Sequence, residues 1–252
     1  MRLIAIAFIS VLLLGALALE PRTAQAQGGP PLVTDDPDTP GNGHWENNLA
    51  TIASRSGGRW SLEAPDADLN YGWGPNIQLN ADIPLAAAQV AGGGWDVGLG
   101  TVALAVKWRF LEDPDQGYAV STYPRYSSAW VASSWQRGLA AAGHAIFLPL
   151  EAATKLSAFG LDAEIGRNFV SGGPGDWQLG GVVAHDCSTA LQCLFEVHET
   201  LSGHSAQTLL NLGAHWQLRP SLALIGAAGR EFGRAGPDQQ VVLLYLGIQI
   251  VR

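Results

Sequence analysis

Glu196 and His198 stand two apart in a segment that alternates polar and apolar residues, which puts both side chains on one face of a strand. Ser202, His204 and Ser205 follow closely. Together these are the residue types of a Ser-His-acid hydrolase or acyltransferase, which needs the imidazole within hydrogen-bond reach of both nucleophile and acid. No Gly-x-Ser-x-Gly turn is present to expose a serine. A barrel enzyme acting on lipid is therefore an alternative reading; no residue is assigned as catalytic, and the chain is read as a non-enzyme. Cys187 and Cys193, the only cysteines, flank the short loop Ser188–Gln192 and suit a disulfide across a turn. His185, Asp186 and His198 lie near them, but the spacing matches no zinc site, and no metal or cofactor is expected. Gly92-Gly93-Gly94 and Gly172-Gly173-Pro174-Gly175 are loops, since no helical pattern follows either to make a phosphate cradle.

Lys107 and Arg109 share one face of another alternating segment. Acids and amides share the polar faces of its neighbours. The segment 76–85 sets Ile77, Leu79, Ala81, Ile83 and Leu85 against Asn76, Gln78, Asn80 and Asp82. The segment 207–218 sets Leu210, Leu212, Ala214, Trp216 and Leu218 against Asn211, Gly213, His215 and Gln217. About a dozen such segments follow, at 44–54, 60–72, 76–86, 97–111, 117–125, 144–155, 158–169, 176–186, 193–202, 207–218, 221–232 and 240–251. Residues Val131–Gly143 contain enough alanine for a helical turn but read more simply as a long loop. A soluble sandwich would alternate in the same way. Here the polar faces carry full charges, and the apolar faces end repeatedly in Trp, Tyr or Phe, which is the lumen-and-lipid pattern with interfacial girdles.

The chain has 252 residues, 14 of them Lys or Arg and 22 Asp or Glu, for a net charge of −8, which argues against a nucleic-acid partner. Charged residues make up only 14%, against about 25% in soluble domains, while Gly (31) and Trp (9) are abundant. Arg2, the apolar run Leu3–Leu19 and Ala24-Gln25-Ala26 form an export signal with a cleavage site, so residues 1–26 read as a signal peptide. Residues 27–43, rich in Pro, Gly and Asp, read as an irregular periplasmic segment, and 44–252 as the barrel. Connections after even-numbered segments are mostly short, whereas Ala87–Asp96, Tyr126–Gly143 and Gly233–Gln239 are longer, as in barrels with short periplasmic turns.

The wording PLVTDDPDTPGNGHWENNLA at Pro31–Ala50 is distinctive. So are Asp68-Leu69-Asn70-Tyr71-Gly72, Ile77-Gln78-Leu79, Val106-Lys107-Trp108-Arg109-Phe110, Ser121-Thr122-Tyr123-Pro124 and Leu148-Pro149-Leu150-Glu151. With these phrases the chain resembles the outer-membrane, transporter-like proteins grouped as "MetA-pathway of phenol degradation". The resemblance implies a barrel that admits small, hydrophobic or aromatic compounds. The chain departs from the usual aromatic ending of such barrels: Ile248-Gln249-Ile250-Val251-Arg252 closes it.

These readings converge on an all-β fold, a transmembrane antiparallel up-and-down β-barrel of about 12 strands in the outer membrane. The expected function is passive passage of small molecules. The alternatives are the lipid enzyme and an exported soluble β-sandwich that binds a ligand. Lumen-lining candidates are Asp68, Asn70, Gln78, Asn80, Asp82, Lys107, Arg109, Glu151, Asp162, Glu164, Glu196, His198, Asn211 and His215. Lys107 and Arg109 are expected to pair with Asp68, Asp82, Asp162 or Glu164. Expected partners are outer-membrane lipid, a small solute and the barrel-assembly machinery.

Overall fold

The computed structural model describes residues 28–203, 205–233 and 240–252. The signal segment 1–26 and His204 lie outside the described residues. The strands are β1 (Trp45–Ser56), β2 (Arg59–Trp73), β3 (Ile77–Gln89), β4 (Trp95–Leu99), β5 (Val102–Asp113), β6 (Tyr118–Thr122) and β7 (Arg125–Ser128). After one helical turn, α1 (Ala132–Gln136), come β8 (His144–Leu156), β9 (Phe159–Val170), β10 (Asp176–Asp186), β11 (Leu191–Ser202), β12 (Ser205–Arg219), β13 (Leu222–Gly233) and β14 (Gln240–Val251). All pairings are antiparallel, between consecutive strands or, at β3–β5, β5–β7 and β6–β8, between strands one apart in the chain. The ring closes where β1 meets β14, and Trp45 and Arg252 exchange backbone hydrogen bonds of 2.7 and 2.8 Å at that seam.

Two staves of the barrel are interrupted. β4 and β5 both pair with β3, end to end, across Gly100-Thr101. β6 and β7 both lie between β5 and β8, across Tyr123-Pro124. Pro124 has no N–H to donate to a ladder, so the strand breaks there, while its carbonyl still accepts from the Val106 N–H at 3.1 Å. Counted as staves, the ring has 12 strands, as the alternation predicts. The soluble sandwich is overturned, because a single closed sheet leaves no second sheet to pack against. The loop expected over 131–143 contains α1, whose Ser134 is buried.

Burial is inverted relative to a soluble protein. Leu212 is 65% exposed and Leu246 61%, whereas Glu151, Glu196 and Asn211 are 0% exposed. Period-two alternation sends each strand's apolar residues outward and its polar residues inward. In lipid this arrangement is stable, because the closed ladder satisfies the backbone and the apolar face meets acyl chains. Trp45, Trp73, Trp108, Phe159 and Trp216 stand outward near the rim of short turns. Trp95, Phe169, Trp177 and Phe232 do so near the opposite rim. These are the two girdles expected where apolar belt meets water. A lysine at Leu212, mid-strand on the outer face, should cost about 2–4 kcal/mol of barrel stability. Leu212→Lys should reduce the heat-modifiable folded band in membrane fractions, and an unchanged band would contradict a lipid-facing position.

Candidate functional site: a plugged lumen

The segment before β1 leaves the short-turn rim and folds inward. Near the rim the Thr39 hydroxyl donates to the Pro75 carbonyl at 3.1 Å, and the Gly74 N–H donates to Asn42 at 2.9 Å. Residues 28–38 then fill the lumen, turned back on themselves by the Gly29 N–H to Thr34 carbonyl bond at 2.8 Å. The segment is irregular, as its composition predicts, yet it is an interior plug and not a free lead-in.

Its inner end is anchored on β11. The Val33 N–H donates to Glu196 Oε1 at 3.0 Å, and the Thr34 N–H donates to the same carboxylate. Asn211 donates its amide to Glu196 Oε2 at 3.1 Å. The Thr34 hydroxyl lies 3.4 Å from His198 Nδ1. Glu196 and His198, which share a face as predicted, therefore hold the plug. Ser205 donates its hydroxyl to the Ser202 carbonyl at the rim, and neither serine is hydrogen-bonded to the pair. Leu32 packs into a buried apolar patch of Val182, Ala184 and Leu194. Inward-facing glycines make room for this traffic. A Cβ at Gly180 would collide with Thr34, and one at Gly213 would press on Leu32.

The plug's acidic stretch meets the basic residues of the wall. Lys107 Nζ reaches Asp35 Oδ1 at 2.8 Å and also donates to the Asp36 carbonyl. Arg125 approaches Asp35 Oδ2 at 3.7 Å, and Arg109 pairs with Asp38 at 3.1 Å and Glu112 at 3.2 Å. This corrects the expected partners of Lys107 and Arg109, which are the plug's carboxylates together with Glu112. The wall acids at Asp68, Asp82, Asp162 and Glu164 do point inward, but the plug lies closer to the bases. Burial opposes charge on both buried plug acids. At Asp35 the Lys107 and Arg125 charges outweigh burial and hold the carboxyl below the ordinary range. At Asp36 burial prevails over Lys107 and pushes the carboxyl well above it. Asp35 is thus the plug's ionic contact with Lys107 and Arg125.

The remaining candidates form polar networks around this contact. Asp68 accepts amide hydrogens from Asn48 at 2.9 Å and Asn70 at 3.0 Å, and another from Asn80. Gln78 donates to Asn70 at 2.7 Å and to the Tyr123 hydroxyl at 3.2 Å. Glu151 accepts from the Ser121 hydroxyl. Asp162 and Glu164 are buried on β9, while Asp82 and His215 border a cavity. Cys187 and Cys193 are disulfide-bonded across a short-rim turn, as expected. Among the described residues no cluster of three His, Cys, Asp or Glu is arranged for a metal ion.

Free space remains among the described residues. One cavity, of about 440 Å³, lies between the plug and the wall and is lined by Asp66, Asp82, Lys107, Tyr123, Arg125 and Tyr245 among others. Another, of about 480 Å³, lies beneath the long-rim loop, where Leu139–Ala141 face Leu62 and Ala86–Ala88. That loop is tied inward by Arg137 Nη1 donating to the Val97 carbonyl at 2.9 Å. Ile52 and Leu243 line both cavities, so the two adjoin.

A closed ring of 12 staves with a polar interior, apolar belt and girdles can be compared with solved structures. The fold is that of the outer-membrane porins. The COG4313 outer membrane channel from Pseudomonas putida F1 superposes with a TM-score of 0.66 at 11% identity, over 90% of this chain and 99% of that one. The KdgM porin gives 0.59 at 6% identity, over 81% of this chain and 98% of that one. The NanC porin gives 0.56 at 7% identity, again over 81% and 98%. No family model matches the sequence, nor does any curated protein. Within this porin fold, sequence reasoning missed the plug. The available signal was glycine at inward strand positions, Gly180 and Gly213, where a wall without an occupant has no need of it.

Proposed function

We propose that the chain is an outer-membrane channel for passive passage of small molecules, held closed here by its own N-terminal segment. The observation that carries this reading is the inverted barrel. A wall apolar outside and charged inside encloses cavities and a segment that belongs to no strand of the wall. The porin fold of channels such as those of Pseudomonas putida F1, KdgM and NanC supports it. The rim of short turns, where the plug enters, is the periplasmic one. Export through a cleaved signal over 1–26 and insertion by the barrel-assembly machinery complete the route to the membrane. Membership of the "MetA-pathway of phenol degradation" group, and a preference for small hydrophobic or aromatic solutes, suit the alanine and leucine side chains that make up part of the lining of the cavity under the long-rim loop. Glu196 and His198 act as plug anchors in this reading, and the protein is not an enzyme. Liposome swelling tests it. Vesicles carrying the chain without residues 28–40 should swell in an isosmotic benzyl alcohol and arabinose mixture faster than protein-free vesicles. Equal rates would overturn it.

A further inference from the structure

We propose that Lys107, Arg125 and Tyr123 form a carboxylate-binding site of the pore, and that Asp35 occupies it in the closed state as an internal stand-in for a solute carboxylate. The proposal rests on the channel reading and names the solute class it would take.

The bases are positioned by the wall, not by the plug. The Tyr123 ring, only 3% exposed, lies 4.7 Å from Lys107 Nζ and 5.2 Å from the Arg125 guanidinium carbon. Cations at such distances from an aromatic face are held by its quadrupole. The Tyr123 hydroxyl is fixed in turn by Gln78 at 3.2 Å. The plug supplies the Asp35 carboxylate, with Oδ1 on Lys107 and Oδ2 towards Arg125, and beside it the Asp36 carbonyl on Lys107 and the Asp36 carboxylate at 4.0 Å. Arg109 differs, because it keeps Glu112 on its own strand when Asp38 departs. Among the described residues, the salt bridges of Lys107 and Arg125 run only to the plug. Arg125 is the member of the site that faces free space inside the barrel. The Arg125 side chain is 40% exposed and borders the cavity of about 440 Å³. A small carboxylate entering by the long-rim cavity would pass through the adjoining one, which Arg125 lines. Asp35 competes from the same chain, at an effective concentration in the millimolar range.

Calorimetric titration of the detergent-solubilised full chain with sodium benzoate tests this, with benzyl alcohol as the neutral control. Asp35→Ala should bind benzoate at least tenfold more tightly than the unaltered chain. Asp35→Ala/Lys107→Met and Asp35→Ala/Arg125→Gln should each lose that gain, with heat-modifiable folding retained. Benzyl alcohol should not distinguish the variants. Equal benzoate affinity in the unaltered chain and Asp35→Ala would overturn the proposal. So would undiminished binding in both double variants. The titration needs no conduction, so tight binding beside a non-conducting chain lacking residues 28–40 would refute the channel and leave the carboxylate site standing.

Discussion

Replacing Glu196 with alanine should release the plug and raise the open fraction of the channel at least about tenfold, the change that 1.4 kcal/mol produces. The carboxylate is fully buried and accepts the Val33 and Thr34 N–H groups and the Asn211 amide. Hydrogen bonds to a charged group are worth about 1.5–3 kcal/mol each, and alanine leaves the two plug N–H groups without their acceptor. The barrel wall keeps its ladder, because Glu196 contributes only a side chain to the anchor and β11 stays paired with β10 and β12. Glu196→Gln retains an acceptor oxygen and should fall between alanine and the unaltered chain. Open dwell fraction in single-channel recordings is the readout. An alanine variant as closed as the unaltered chain would show that the anchor lies elsewhere.

Gly180→Leu should open the channel by a different force. Gly180 faces the lumen on β10, and even a Cβ there would overlap Thr34. Leucine adds far more volume than the gap allows, and close-packed interiors do not absorb such a change without displacement. The wall strand is paired on both sides, whereas the plug has no ladder, so the plug is the part that moves. Exposure of residues 28–40 to added protease should rise together with current. Because Glu196→Ala acts through lost hydrogen bonds and Gly180→Leu through contact, agreement between them would implicate the segment itself and not a local defect. Protection of the segment in Gly180→Leu would mean that the wall, and not the plug, had yielded.

The barrel was legible because a strand's alternation is local and survives translation into structure. Ile77 through Leu85, read as one apolar face, stand on the outside, and Gln78 and Asn80 stand inside. The interruptions were signalled less clearly, by Gly100 and Pro124 within otherwise continuous patterns. The lumen residues were legible as a set, but not their partners. Lys107 and Arg109 lie on a strand whose neighbours bear acids, so near-neighbour pairing was the natural expectation. Their actual partners come from Asp35 and Asp38, roughly seventy positions earlier in the chain, in a stretch whose Pro, Gly and Asp content carries no period. Non-periodic segments declare that they are irregular without declaring where they go. The apolar wall around Leu32 was missed for the same reason. Val182, Ala184 and Leu194 sit at inward positions that a water-filled lumen would have made polar.

The central claim is that a channel exists and that residues 28–40 close it. Planar-bilayer recording of the full chain beside the chain lacking those residues tests it most directly, with both shown to be folded by heat-modifiable migration. Rare or no openings are expected for the full chain, and sustained, well-defined conductance steps for the shortened one. Indistinguishable currents from the two, whether both silent or both conducting, would contradict it.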